Sequence, residues 1–399
     1  MGWELYIALS VMMFLEYAVW GAWSPVLAAR LLGPLKMTGK QTGWIYGTLW
    51  IASIVSPLLA GQIADRYVAT QWILALSHIL GGILLFVAAR KTSFGSLFAV
   101  MFIYSLFFAA TIPLVNSLMF TQLGKAFAGD AAKVNAASGN IFLWAPIAWV
   151  LAGLLLTGWR RIKGTGDGSD CLKLAGVLSL VMGIVCLFLP NTPPPGTGSD
   201  AMPFLKAFSL VKDPNFLVFL VVSFILGSQL QFYYLGTAQF LGDIGVESKN
   251  IPAVMSWAQF VQTIATPLAL GFCITTLGFS WTLTIGVISW LLMYLAYSAT
   301  KPKWLVIGSM GFHGIAYVLF IIGGQIYVNA VAPADIRSSA QALLSVVVTG
   351  LSFLLGTQFT GIVMDKFRKD GKFQWRPIFL MPCTLTFVCV IVLLCFFKG

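Results

Sequence analysis

Apolar runs of about twenty residues recur along the chain, separated by short segments that hold nearly all of its charge. Coiled as an α-helix at about 1.5 Å per residue, a run of that length crosses the roughly 30 Å hydrocarbon core of a bilayer. Twelve such runs are readable, at 6–29, 41–64, 71–89, 95–120, 138–159, 171–190, 215–241, 251–274, 279–299, 303–329, 338–364 and 376–397. Between the sixth and the seventh lies the only long polar stretch, Pro190 to Pro214, with the run Thr192-Pro193-Pro194-Pro195-Gly196 and charges at Asp200, Lys206, Lys212 and Asp213. Its prolines disfavour helix and favour an extended connector. The pattern predicts an all-α membrane protein of twelve transmembrane helices in two six-helix bundles. The bundles are expected at 1–190 and 214–399, joined by a central cytoplasmic linker at 191–213.

A faint repeat supports the division. Gly61 to Val68, after run 2, aligns with Gly271 to Gly278, after run 8, at an offset of 210 residues. Two parallel halves of this kind place a binding site between them near the membrane midplane.

Composition narrows the class. Charged residues make up 9% of the chain and hydrophobic ones 59%, whereas about a quarter of a soluble domain is charged. The net charge of +11 suits loops lying against anionic headgroups. The basic residues form no run or patch of the kind that binds nucleic acid. Of the six cysteines, only Cys171 lies near a loop, and no disulfide framework or metal spacing is present. No metal and no cofactor are expected. The first run is too long and too polar for a cleaved signal peptide. Orientation is contested within the sequence. Seventeen of the 24 Lys and Arg fall in the loops opposite the N-terminal face, which by the positive-inside rule would put both termini outside. The long linker and the loop motif described below argue for both termini inside, and that orientation is expected.

The polar residues within the runs carry the chemistry. Glu16 lies in the middle of the apolar stretch Ile7 to Ala29, where an ionisable group costs about 2.5–3.5 kcal/mol even on lenient scales. It is expected to face a watery cavity or a partner. In run 8, Ser256, Gln259, Gln262 (or Thr263) and Thr266 share one helical face. Run 7 has Gln231 and Tyr234 at i, i+3, with Gln229 and Tyr233 beside them, and run 10 has His313 and Tyr317 at i, i+4. Glu16, Trp20 and Trp23 follow one another on run 1, Asn116 lies on run 4, and Trp144 and Trp149 flank Pro146 on run 5. These stripes hold amides, phenols, an imidazole and indoles, with no Arg or Lys. Aromatics stack on a flat ring, and amides pair with both donors and acceptors, so the lining suits a neutral, hydroxylated, ring-bearing ligand. An anionic one would leave its charge uncompensated. A sugar or another neutral metabolite would also suit it. With two histidines in different halves and no paired carboxylates, no catalytic constellation is assembled, and an enzyme is not expected.

Gly61-x-x-x-Asp65-Arg66 resembles the short cytoplasmic loop motif of the major facilitator superfamily. There the glycine allows close helix approach, the Asp accepts from helix N-terminal amides and the Arg binds carbonyls. Val68, Ala69 and Thr70 depart from the glycine and basic residues usual in that motif, and a second copy, Gly361-x-x-x-Asp365-Lys366, ends run 11 on the opposite membrane face.

Nearly the whole chain resembles the nucleoside:proton symporters of that superfamily. The matching segments are Phe14-Leu15-Glu16-Tyr17, Trp20-Gly21-Ala22-Trp23, Pro113-Leu114-Val115-Asn116-Ser117, Gln231 with Tyr233-Tyr234 and Phe240-Leu241, and Met255-Ser256 with Gln259. His313-Gly314-x-x-Tyr317 and Ile336-Arg337-Ser338-Ser339-Ala340-Gln341 complete the set. The resemblance implies a monomeric, multi-pass transporter of a bacterial inner membrane that imports nucleosides with protons by alternating access. It puts Gln231, Tyr234, Gln259, Gln262, His313 and Tyr317 where that family lines its nucleoside site, and Trp149 where an aromatic contacts the ligand. Three positions that are charged in the family are here Phe142, Gln262 and Val318. That leaves Glu16 as the carboxylate deep in a span and His313 as the other titratable group, so both are candidates for proton coupling. His78 also matches the family and is read as making a structural hydrogen bond.

Overall fold

The structure, a computed structural model, describes residues 2–194, 208–333 and 337–399; the side chains of 65, 131, 132, 135 and 337–339 lie outside the description. Most of the expected linker, 195–207, is therefore outside the described residues, as are Ile336 and the side chains of Arg337 to Ser339.

Helices account for nearly all of the described chain. They are α1 (Trp3–Trp23), α2 (Leu27–Leu32), α3 (Gly39–Arg66), α4 (Thr70–Ala89), α5 (Phe94–Ala126), α6 (Ala131–Phe142), α7 (Trp144–Lys163) and α8 (Asp170–Cys186). Beyond the linker come α9 (Pro214–Asp243), α10 (Ile251–Ala265), α11 (Gly271–Ala299), α12 (Lys303–Ala316), α13 (Gly323–Val331), α14 (Arg337–Ser345), α15 (Phe353–Lys366) and α16 (Trp375–Phe396). Local chemistry sets several of the starts. Asp213 accepts from the Phe216 amide at 2.9 Å with Pro214 next in line, which combines an N-cap with the pre-set proline φ. Asp130 also caps α6, accepting from the Lys133 amide at 3.2 Å, with no proline following it.

Ten segments among the described residues are long and apolar enough to cross a membrane. One of them, Ile251–Ala299, runs for 49 residues. At helical rise that is about 74 Å, far more than one bilayer. It is broken at Gly278, where φ 72 and ψ 175 need a residue without a Cβ. Among the described residues, three π-helical turns widen the second half: Thr266–Leu270, Tyr317–Ile322 and Val346–Ser352. Such turns leave carbonyls offset from the regular ladder and often mark functional positions.

The contacts resolve two compact units, Met1–Met37 with Thr48–Gly198 and Ser248–Ser256, and Thr38–Gly47 with Ser199–Glu247 and Trp257–Gly399. The division falls inside α3 and α10. In the first unit α1 packs on α7 and α8, and α4 on α5 and α8, around a core that includes Met12, Met13, Leu114, Met119 and Met182. In the second unit α9 packs on α15 and α16, and α11 on α12 and α16. It holds an aromatic cluster: Phe240 and Tyr297 each lie 4.9 Å from Phe379, and Phe240 lies 5.3 Å from Trp375.

Candidate functional site

In the second unit, α9, α10, α11 and α12 bring a group of the expected residues together. The His313 ring lies flat on Tyr233, centroids 4.0 Å apart and planes 17° apart. Tyr234 meets the same imidazole edge-on at 6.5 Å, and Tyr317, one turn on, lies 6.4 Å from it. Trp290 of α11 donates its indole N–H to His313 Nδ1 at 3.3 Å. Nδ1 is thus an acceptor, and the neutral ring carries its hydrogen on Nε2. Gln259 hydrogen-bonds to the Tyr233 side chain. Gly314 lets α12 and α10 touch: a Cβ there would collide with the Ala258 carbonyl oxygen and lie 2.7 Å from the Gln262 amide nitrogen.

Other members of the stripes go elsewhere. Thr263 and Thr266 bond back to the carbonyls of Gln259 and Gln262, each at 2.8 Å, and Ser256 to that of Pro252 at 2.9 Å. Gln231 points toward α15, where a Cβ on Gly356 would meet its Cγ at 2.9 Å. Both polar atoms of the Gln231 amide, and both of Gln229, are buried with no hydrogen-bond partner. An unpaired buried amide costs about 1–3 kcal/mol. Trp290 carries no sequence signal, because one Trp in an apolar run has no pattern to mark it; Tyr233 is marked in the sequence only as a neighbour of the Gln231–Tyr234 pair.

In the first unit Glu16 is 1% exposed and finds a partner rather than a watery cavity. His78 Nε2 lies 2.8 Å from Oε2, and the Thr111 hydroxyl donates to Oε1 at 2.7 Å. Behind the ring, Ser179 Oγ lies 3.2 Å from His78 Nδ1 and donates to the His78 carbonyl at 2.8 Å. Helices α1, α4, α5 and α8 each supply one member. Above this network Trp20 is ringed by Trp149 at 5.6 Å, Trp50 at 6.2 Å and Phe108 at 6.4 Å. Gly21 makes that packing possible, since a Cβ would sit 2.9 Å from Trp149 Cγ. Asn116 is half-buried, and its Oδ1 has no partner.

The loop motif behaves differently from its reading. A Cβ on Gly61 would meet nothing within 4 Å, so that glycine is not needed for close approach here, and the Asp65 side chain is outside the described residues. The expected chemistry occurs at the second copy. Asp365 accepts from the Gly39 and Lys40 amides at 2.6 and 2.8 Å, a carboxylate on the N-terminus of α3. Gly39 and Gly361 face each other so closely that a Cβ on Gly39 would lie 2.5 Å from the Gly361 carbonyl oxygen.

The sequence profile of nucleoside H+ symporters matches residues 3–399. The chain belongs to the nucleoside H+ symporter family. YegT of Escherichia coli strain K12, provisionally named a nucleoside transporter, is 30% identical over 98% of this chain and 93% of its own. The nucleoside permease NupG of the same organism is 25% identical over 99% and 96%. A crystal structure of a NupG variant superimposes with a TM-score of 0.89, at 25% identity, over 99% of this chain and 100% of that one. The fold is therefore that of the major facilitator transporters. Two of the positions expected to depart from the family, Val318 and Phe142, are packed among apolar side chains. Val318 is fully buried beside Leu270 and Leu319, and Phe142 packs on the first unit's core with its ring 6.2 Å from Phe120.

Proposed function

We propose that this protein imports nucleosides together with protons by alternating access across a bacterial inner membrane, as a monomer with both termini in the cytoplasm. The names of its relatives and the family description support transport of nucleosides. The observation that carries the proposal to particular residues is the Tyr233–His313 stack with Gln259 bonded to it. Around that stack, Tyr234, Gln262 and Tyr317 supply further aromatic and amide surface, and His313 Nε2–H and the Gln259 amide are donors for a base or ribose. Gln231 is assigned to the site for its unsatisfied amide; Trp149 and Asn116 are assigned on the family resemblance.

Twelve crossings in two halves, 1–190 and 214–399, follow if Ile251–Ala299 folds back at Gly278 and α8, with 17 residues, also crosses. A 17-residue helix is about 25 Å long, within reach of a locally thinned bilayer. Proton coupling is assigned to Glu16 rather than to His313, whose Nδ1 is occupied by the Trp290 donor. The test is uptake of radiolabelled uridine into proteoliposomes, with an inward proton gradient and at equal pH. Accumulation that needs the gradient and is competed by adenosine supports the reading. Competition by free sugars but not by nucleosides sinks it.

A further inference from the structure

The cluster around Glu16 sets a hydrogen-counting problem. Thr111 has one hydroxyl hydrogen and two acceptors at the same distance, Glu16 Oε1 and the Phe108 carbonyl, both at 2.7 Å. Ser179 likewise has one hydrogen and two acceptors, the His78 carbonyl at 2.8 Å and His78 Nδ1 at 3.2 Å. With Glu16 ionised, His78 Nε2–H donates to Oε2, Thr111 donates to Oε1 and Ser179 donates to Nδ1. Every polar atom of the pair is then satisfied. Now let one proton from water add to Oε1. The new O–H donates to Thr111 Oγ1, and the Thr111 hydrogen rotates onto the Phe108 carbonyl. Every polar atom of the Glu16–His78 pair is satisfied again, and no heavy atom has moved.

Placing the proton on the carboxyl rather than on the ring leaves two neutral groups. In a buried setting these are favoured over an imidazolium–carboxylate pair, whose desolvation is costly. Among the described residues, Tyr104 on α5 and Cys186 on α8 have an electrostatic interaction with Glu16. The charged residues of α7, Arg160, Arg161 and Lys163, are all in its last turn, and Lys133 of α6 pairs with Asp130. His78 is the one ionisable residue of α4.

We propose that Glu16 Oε1 is the binding site of the transported proton, and that Thr111 is a positioning residue that accommodates both protonation states by rotating its hydroxyl. His78 holds the other carboxyl oxygen throughout, and Ser179 holds His78. The assignment rests on proton-coupled import but not on the identity of the solute.

The test has two arms. In the first, infrared difference spectra of the purified protein are recorded across pH without any solute. A carboxylic-acid C=O band should grow as pH falls, vanish in Glu16→Gln, and titrate at more alkaline pH in Thr111→Val, which loses the donor to the ionised form. Thr111→Ser should restore the wild-type titration, which a merely structural role for Thr111 would not require. A band that persists in Glu16→Gln, or a Thr111→Val titration identical to wild type, overturns the proposal. In the second arm, gradient-driven uridine accumulation should fall at least tenfold in Glu16→Gln while equal-pH counterflow stays within about twofold. Full accumulation in Glu16→Gln overturns the proton site. Absence of uridine counterflow in wild type would instead sink the nucleoside reading and leave the infrared arm to decide the proton site.

Discussion

The two units hold their buried polar groups in opposite ways. In the first unit, Glu16, His78, Thr111 and Ser179 form a closed set in which each donor has an acceptor within 2.7–3.2 Å. In the second, Gln229 and Gln231 are buried with their amides unpartnered, a few residues from the well-packed Tyr233–His313 stack. A closed network is stable by itself and changes state only by gaining or losing a proton. An open one is costly until something else supplies the missing partners. On the function proposed above, the closed set takes the smallest ligand, a proton, and the open one the organic solute.

Four measurements would break or sharpen that contrast. The largest effect is expected from His78→Leu, which removes the Nε2 donor from a buried carboxyl and should cost about 3 kcal/mol, read as a lower midpoint of thermal unfolding in detergent. An unchanged midpoint would mean that the network is not closed. Gln259→Ala removes the bond to Tyr233 and should weaken nucleoside binding by about 1–3 kcal/mol, measured by calorimetry, with the unfolding midpoint little changed. Next comes Gln231→Leu. Replacing an amide that has no partner by an apolar group of similar size should leave stability equal or higher, while binding weakens by about 1 kcal/mol. Wild-type affinity in that variant would remove Gln231 from the site.

The smallest effect concerns a loop. Desolvation works to raise the Asp167 carboxyl, but hydrogen bonds from Ser169 and the nearby Arg30 guanidinium outweigh it and hold the group below the usual carboxylate range. A depressed value stabilises the folded state above the unfolded value, and that contribution is lost as pH falls through the folded one. Asp167→Asn should thus lower stability by a few tenths of a kcal/mol at neutral pH, the scale of a pair whose carboxylate is half-exposed to solvent. In thermal melts the gap to wild type should close in acid.

Much of this was legible in the residues, for identifiable reasons. The apolar runs announce the helices because bilayer thickness sets their length, and the depth of Glu16 follows from its place within one run. The i, i+4 spacing of His313 and Tyr317 predicts a shared face, and their rings lie 6.4 Å apart. What could not be read was any partner from another helix. Nothing local joins Glu16 to His78, which is 62 residues away, or His313 to Trp290. The loop motif shows the same limit from the other side. Gly61 and Gly361 sit in equivalent short patterns, yet only at Gly361 does a neighbouring backbone come close enough for the missing side chain to matter. A motif specifies what a turn can do; the packing opposite it decides whether it does so.

The three π-helical turns have a consequence for how these helices tolerate changes in length. Each accommodates one more residue than a regular turn, and each stays helical at both ends. Losing a single residue from Tyr317–Ile322 would let the chain relax into ordinary α-helix, and because the widened turn absorbs that residue locally, everything after it would keep its orientation. Regularising the turn with no residue lost would instead turn the following segment by about 100° about the helix axis. Tyr327, now buried with its ring 5.1 Å from that of Phe219, would then swing off its neighbour while His313 kept its place. Both changes would be silent to any assay of helix content. The widened turns thus act as phase adjusters that bring two differently set faces of one continuous rod onto their separate partners.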